Sequence, residues 1–205
     1  MSAEQRVLDV SALPHGTADS RALLWWGNLG MMAIEGTMFA LALATYLYLR
    51  VQNLDWPPGT VPRPELLLPT INLALILAAF IPSIIADKAS KRDDAGTVKA
   101  CFAVLVLMGI AFLVIRGIAV TTLGYKWSSH AYGSIVWVII GLHTFHSIAA
   151  TAETALLLVY SLVRPVTKKQ LLDFRCTCVY WYFLIATWIP FYFVIWVGPY
   201  LHRKG

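Results

Sequence analysis

The sequence predicts an all-α, polytopic membrane protein built as a bundle of five transmembrane helices. Its 205 residues are 59% hydrophobic and only 13% charged, with a mean hydropathy of +0.67. Soluble domains average about 45–50% apolar and about 25% charged residues. Five apolar runs are each long enough to cross a bilayer, and none shows the alternation typical of strands. We expect a flexible polar tail at 1–21 and one transmembrane domain at 22–205, with spans at about 22–49, 66–86, 100–122, 132–162 and 176–201.

The first span contains one carboxylate, Glu35, inside an otherwise apolar run from Ala22 to Leu49. A charged group at the centre of a membrane helix costs about 2.5–3.5 kcal/mol on insertion scales, and apolar surroundings favour the uncharged acid. We therefore expect Glu35 to face protein, water or a partner. The run leaves two interpretations open: a proton-linked or contact site, or a neutral side chain hydrogen-bonded within the bundle.

The second and third spans each carry a polar side chain of interest. Asn72 falls one turn into the second span, and Pro82 is expected to kink that helix near its end. A short charged loop is expected at Asp87–Lys99. Arg116 lies in the last turns of the third span, where it can extend to the interface or pair with another residue.

The fourth span holds His143, His146 and Glu153. Seven residues of helix give a rotation of about −20° and a rise of about 10 Å, so His146 and Glu153 share one stripe. The histidines are expected to form hydrogen bonds across helices, with either Glu153 or Glu35. The fifth span is free of charge and rich in aromatic residues, and Pro190 removes one of its backbone hydrogen bonds.

A redox or metal site is poorly supported by these residues. Haem held between two histidines needs ligands on different helices, and a membrane di-iron site needs several Glu and His on facing helices. The only two intramembrane histidines lie on one helix. The cysteines form neither a disulfide framework nor a zinc signature. We therefore expect no catalytic, cofactor-binding or metal-binding residue, and instead name five candidate buried polar, lipid-cleft or proton-linked residues: Glu35, Asn72, His143, His146 and Glu153.

The formal net charge of +5 does not indicate nucleic-acid binding, because the basic residues lie between apolar runs without forming a stripe. The distribution of these basic residues instead predicts how the chain is oriented in the membrane. With five spans, ten of the sixteen Lys and Arg residues fall on the side of the N-terminus, which the positive-inside rule places in the cytoplasm.

Short motifs in order along the chain resemble subunit III of the haem-copper terminal oxidases, in its five-helix bacterial form. Any one of these motifs is weak, but their order and spacing over residues 22–201 are specific. They are Trp26-Gly27 with Glu35 and Phe39, Leu68-Pro69-Thr70-Ile71-Asn72, Gly109 with Phe112, Tyr132-Gly133-Ser134 with Gly141 to His146, and Tyr180-Trp181 with Trp188.

The chain also departs from the family pattern. Tyr182 stands where the last motif has His, Ile185 where it has Asp, and Arg175 where a Glu commonly precedes it. Arg116 occupies a position where a polar or acidic residue is usual. These differences identify a divergent member and leave its partner oxidase open.

The resemblance implies a non-catalytic accessory subunit of a respiratory oxidase in a bacterial inner membrane. It implies no haem or copper in this chain, with both in partner subunits, and contacts with the catalytic subunit I, with subunit II and with phospholipids. In the family, the Glu at the position of Glu35 lies in a lipid-filled cleft, and the subunit supports proton uptake. Alternatives are a subunit III-like protein of a quinol oxidase or nitric oxide reductase, or a small proton-coupled transporter using Glu35, His143, His146 and Glu153. A transporter would more often show repeats or broken helices.

Overall fold

The computed structural model describes residues 23–59, 61–62 and 64–202 and shows a helical bundle. The tail predicted at 1–21 lies outside the described residues. In chain order the helices are α1 (Leu23–Gln52), α2 (Leu67–Ala78), α3 (Phe80–Lys91), α4 (Ala95–Thr121), α5 (Ala131–Val163), α6 (Lys168–Tyr192), a π-helical turn (Phe193–Val197) and α7 (Gly198–His202). The described part of the chain contains no strand.

Five helical segments are long and apolar enough to cross a membrane. They are Leu23–Gln52, Leu67–Lys91, Ala95–Thr121, Ala131–Val163 and Lys168–Tyr200. The predicted fold class, an all-α protein with five membrane-spanning helices, is confirmed. The segment Leu67–Lys91 combines α2 and α3 into one span.

The break between α2 and α3 falls at Ala79, as expected from Pro82. Proline lacks an N–H and its ring crowds the carbonyl four residues earlier, which here belongs to Ala78. The Ser83 hydroxyl donates to the Ala79 carbonyl at 2.8 Å and so satisfies an acceptor near the break. The same Ala79 carbonyl also accepts the Ser83 amide at 3.3 Å, so the helix resumes directly after the break.

The charged loop predicted at Asp87–Lys99 is wrong over most of its length. Helix α3 continues to Lys91 and α4 begins at Ala95, so a short turn joins them. Asp94 caps α4 by accepting hydrogen bonds from the amide and hydroxyl of Thr97. Hydropathy marks the apolar core of a bilayer, whereas the helices continue into the polar region where Lys91 can stay hydrated.

The last span likewise begins earlier than its apolar run. A capping box between Thr167 and Gln170 starts α6 at Lys168, before the start of the fifth span expected at about 176. Near the other end, Pro190 precedes the π-helical turn Phe193–Val197. A missing N–H donor is a recognised cause of such irregular turns.

The interior of the bundle is dominated by aromatic side chains of the last span. Trp181, Trp188 and Phe191 are almost fully buried, whereas Phe193 faces outwards. Lipid tails are as apolar as these side chains, so close packing and hydrogen bonds stabilise such contacts more than exclusion from water does. Helix α5 packs against α1, α4 and α6, and this position brings its two histidines to the centre.

Candidate functional site

The structure pairs Glu35 of α1 with His146 of α5. The Glu35 Oε1 atom lies 3.9 Å from the His146 Nε2 atom, and the two side chains are 18% and 9% exposed. The phenol of Tyr180 lies beside the same carboxyl group. The other oxygen, Oε2, is buried and has no hydrogen-bond partner among the described residues. Of the two acids left open by the sequence, Glu35 is the one that lies beside His146, at a distance longer than the predicted hydrogen bond.

The orientation of the His146 ring follows from a second contact. Its Nδ1 atom lies 2.7 Å from the Leu142 carbonyl oxygen. A carbonyl can only accept, so Nδ1 carries a hydrogen and donates it. In the neutral ring Nε2 is then a bare acceptor facing Glu35. At 3.9 Å this nitrogen lies near the carboxyl group but beyond hydrogen-bonding distance.

A second polar cluster forms around Arg116 of α4, which is only 2% exposed. Its Nε and Nη2 atoms donate to the Asn72 Oδ1 atom at 3.1 and 2.8 Å. The Asn72 amide in turn donates to the Phe112 carbonyl at 2.8 Å. Arg116 therefore pairs inside the bundle rather than extending to the interface, which decides between its two predicted placements. We call Asn72, Arg116, His143 and Trp188 the Arg116 cluster.

Aromatic faces provide most of the remaining surroundings of this guanidinium. Its central carbon lies 3.7 Å from the Trp188 ring centroid and 4.8 Å from that of Phe112. Such cation–π contacts are worth about 2 kcal/mol or more when desolvated. No described acidic side chain forms an ion pair with Arg116, and its Nη1 atom has no hydrogen-bond partner among the described residues. The cluster therefore holds a buried positive charge without a described counter-ion.

His143 links the Arg116 cluster to the Glu35 pair. It is fully buried, and its ring lies 4.4 Å from that of Trp188. Its Nε2 atom donates to the Leu184 carbonyl at 3.1 Å, which leaves Nδ1 without a hydrogen in the neutral ring. Phe39 separates the two histidines and contacts both rings, at centroid distances of 6.2 Å and 5.1 Å.

Glu153 lies apart from His146, although both residues share a stripe of α5. Its Oε1 atom accepts a hydrogen bond from the Thr177 hydroxyl of α6 at 3.0 Å. It lines a cavity of about 440 Å³ together with Asn28, Asp173 and Cys176. This cavity lies between α1, α5 and α6 and places two carboxyl groups near the start of α6. We call it the acidic groove.

The histidine contacts do not suit metal binding. Each ring donates one nitrogen to a backbone carbonyl, and the remaining nitrogens face Ser147 in one case and Glu35 in the other. Zinc sites use at least three protein ligands. Among the described residues no group of three or more His, Cys, Asp or Glu side chains is placed to hold a metal ion.

Sequence reasoning did not include Arg116 and Trp188 among the candidate site residues. A signal for Arg116 was available, because it is the only Lys or Arg between Ala100 and Thr122 and an intramembrane cation usually has a partner. The partner of Arg116 is an amide and carries no charge, so the pattern of charges in the sequence could not identify Asn72 as that partner. Trp188 is one of many aromatic residues in α6, and only packing distinguishes it.

A bundle of five helices long and apolar enough to cross a membrane, with ionisable groups buried inside it, defines a class of protein: the polytopic membrane proteins. Residues 27–199 match the family model described as "Cytochrome c oxidase subunit III". The chain belongs to this family, and the resemblance found in its motifs is confirmed. Members of the family are non-catalytic subunits of a terminal oxidase, whose haem and copper are held by other subunits.

Similar curated proteins include bacterial and animal members. The chain is 27% identical over 190 residues to "Cytochrome c oxidase subunit 3" of Thermostichus vulcanus, covering 89% of this chain and 90% of that protein. It is 27% identical to "Probable cytochrome c oxidase subunit 3" of Nocardia farcinica, covering 82% and 85%. Against "Cytochrome c oxidase subunit 3" of Myxine glutinosa it is 25% identical, covering 70% of this chain but 56% of that protein.

Proposed function

We propose that this chain stabilises the catalytic subunit I of a haem-copper oxidase, holds phospholipid against it and supports proton uptake. Subunit II is a further neighbour, and the complex resides in a bacterial inner membrane. The observation that carries the proposal is the Glu35–His146 contact, in which two ionisable side chains lie 3.9 Å apart where α1 packs against α5. An accessory subunit without a redox centre can use such a pair to hold and release protons beside a partner.

The acidic groove supports a supply of protons to this pair. Asp173 and Glu153 line it, and Asn28 of α1 stands seven residues before Glu35 on the same face of the helix. Glu153 likewise stands seven residues after His146 on α5. The groove and the pair therefore occupy successive levels of the α1/α5 contact, about 10 Å apart along the helices.

The stabilising and lipid-holding roles are supported by the outer surface of α1. Of its 30 residues only Phe39, Ala42 and Tyr46 are buried. Large apolar side chains such as Ile34 and Leu41 are 68% and 67% exposed. Within a membrane such a surface is covered by acyl chains or by another subunit, and Glu35 lies at its edge.

The direct test uses the purified oxidase containing Glu35→Gln, with Glu65→Gln as the matched control. Glu65 is exposed and lies before α2, outside the Glu35 pair and the acidic groove. We expect both complexes to assemble with full haem content, and only Glu35→Gln to slow proton uptake and shorten the active lifetime during turnover. Equal proton uptake in the two variants would contradict the proton-supply role, and haem or copper bound to this chain after its separation from the complex would contradict its non-catalytic role.

The transporter alternative is tested by reconstituting the chain alone in liposomes. An accessory subunit should give no proton-coupled flux above empty vesicles. A flux that Glu35→Gln abolishes would favour the transporter.

A further inference from the structure

A groove on another face of the bundle runs between α4 and α5 and has two adjoining parts. The part near the α4–α5 turn has a volume of about 640 Å³, and the part further along the helices about 480 Å³. Both parts are lined by Val120 and Trp137, so they form one continuous groove. We call it the α4/α5 groove. The acidic groove lies elsewhere, between α1, α5 and α6.

The inner part of the α4/α5 groove is apolar and has a smooth floor. Gly117 of α4 and Gly141 of α5 line it, and a Cβ atom at either position would meet nothing within 4 Å. Phe145 and Ile148 form its wall and are 70% and 50% exposed. This part can therefore accept a long, flexible apolar chain without displacing protein atoms.

The outer part carries hydrogen-bond donors and positive charge at the end of the helices. Lys126 lines it, is exposed, and forms no ion pair with a described acidic side chain. The Nδ1 atom of His130 accepts the Gly133 amide at 2.8 Å, so in the neutral ring Nε2 carries the hydrogen. The Ser129 hydroxyl lies in the same wall.

Arg116 adds a buried positive charge to the wall of the inner part. It is 2% exposed, its Nη1 atom is unpartnered among the described residues, and no described acid pairs with it. Its guanidinium is directed at Asn72 and Trp188 inside the bundle, so the exposed positive charge of the groove is that of Lys126 at the outer end. The groove thus combines an apolar floor with an exposed positive charge at one end, which suits an anionic amphiphile.

We propose that the α4/α5 groove binds one anionic phospholipid. Its phosphate lies between Lys126 and the His130 Nε2–H group, and one acyl chain lies over Gly117 and Gly141. A partner helix would fill the apolar part but would leave the donors near Lys126 without an anion. This inference deepens the lipid-holding part of the proposed function at a site separate from Glu35.

The test uses the intact oxidase complex and a photoactivatable phosphatidylglycerol whose acyl chain carries a diazirine. Gly141→Phe fills the floor of the groove, and Lys126→Glu reverses the charge at its mouth. Ile81→Phe is the matched control, because Ile81 is 63% exposed on α3 and lines neither the α4/α5 groove nor the acidic groove. We expect crosslinks on α4 and α5, and at least tenfold weaker phosphatidylglycerol retention in both groove variants but not in the control.

Several results would overturn the proposal. These are unchanged retention in Gly141→Phe, equal loss in Ile81→Phe, equal retention of phosphatidylcholine by the wild type, or crosslinks from groove positions to another polypeptide. Competition by inorganic phosphate alone would also contradict it, because it would show that the acyl chain contributes nothing. Proton uptake in Gly141→Phe should remain normal, so the outcome is separable from that of Glu35→Gln.

Discussion

Replacing Asn72 by Leu tests whether the buried guanidinium of Arg116 depends on this one amide. The substitution keeps a similar volume but removes two hydrogen bonds accepted from Arg116 and one donated to Phe112. Side-chain hydrogen bonds in membrane proteins average about 0.6 kcal/mol, so three neutral bonds would account for about 2 kcal/mol. Leaving a buried charge without its partner raises the expected loss to about 3–5 kcal/mol.

The assay is SDS-driven unfolding of the chain in mixed micelles, followed by tryptophan fluorescence. Trp188 stacks on Arg116 at 3.7 Å, and because the chain has eight tryptophans, the emission lost in Trp188→Phe identifies the signal from the cluster. Asn28→Leu is the matched control, since the Asn28 amide donates a hydrogen bond to the Cys176 carbonyl at 3.2 Å and, among the described residues, forms none with a buried charge. We expect a loss of about 0.6 kcal/mol for the control.

A double-mutant cycle isolates the charge. In Asn72→Leu combined with Arg116→Met the stranded cation is gone, so the double variant should be more stable than Asn72→Leu alone. We expect a coupling of about 1–3 kcal/mol between the two positions. A loss below about 1 kcal/mol for Asn72→Leu, or additive losses in the cycle, would refute the view that Asn72 is the principal partner of Arg116.

Three further predictions follow from other contacts. Glu35→Lys should reduce assembly of the oxidase on native gels by about tenfold or more, because a lysine at a helix centre costs about 2.5–3.5 kcal/mol. Glu35→Gln should assemble normally. Normal assembly of the lysine variant would disprove the inward placement of Glu35. Gly109→Ala should lower the free energy of unfolding by about 1–3 kcal/mol, because the added Cβ atom would lie 2.5 Å from the Thr151 Oγ1 atom. Adding Thr151→Ala to this variant should restore part of the loss. Hydrogen bonds from the hydroxyl and amide of Thr97 lower the pKa of Asp94. The contribution of this cap to the stability of the folded chain should therefore be present above the usual carboxyl range and disappear as pH falls through the lowered pKa. Asp94→Ala should abolish this pH dependence in a series of unfolding midpoints.

The number and type of spans could be predicted because hydropathy and length report directly on the solvent around a helix. Helix ends could not, because α3 and α6 extend past their apolar runs under the control of local hydrogen bonds. The cap at Asp94 and the capping box at Thr167 were visible in the sequence only as ordinary polar residues. The kink near Pro82 was predictable because it depends on one missing N–H group.

The candidate site was predictable in part. The buried carboxyl and the two histidines were identified from their rarity within apolar runs. Which acid faces His146 depends on how α1 and α5 are rotated against each other, and periodicity along one helix does not fix that rotation. The structure uses Glu35 for this contact and turns Glu153 towards Thr177.

The departures from the family motifs are related through the contacts of the last span. Arg175 stands where a Glu commonly occurs, and its Nε atom donates to the Asp87 carboxyl of α3 at 3.3 Å. The acid of this contact therefore comes from α3 and the base from α6. Further along, Ile185 replaces an Asp and is packed in the apolar core.

Arg116 and Ile185, two of the departures from the family motifs, are related through Trp188. The guanidinium of Arg116 lies 3.7 Å from the Trp188 ring centroid, and Ile185 stands three residues before Trp188 on α6. In this chain the aromatic face of Trp188 and the amide of Asn72 hold the guanidinium. Residues three apart on a helix are neighbours, so we expect an Asp introduced at 185 to lie close enough to Arg116 to pair with it. Ile185→Asp should then weaken the effect of Asn72→Leu on the unfolding midpoint, whereas an unchanged effect would show that position 185 does not interact with the Arg116 cluster.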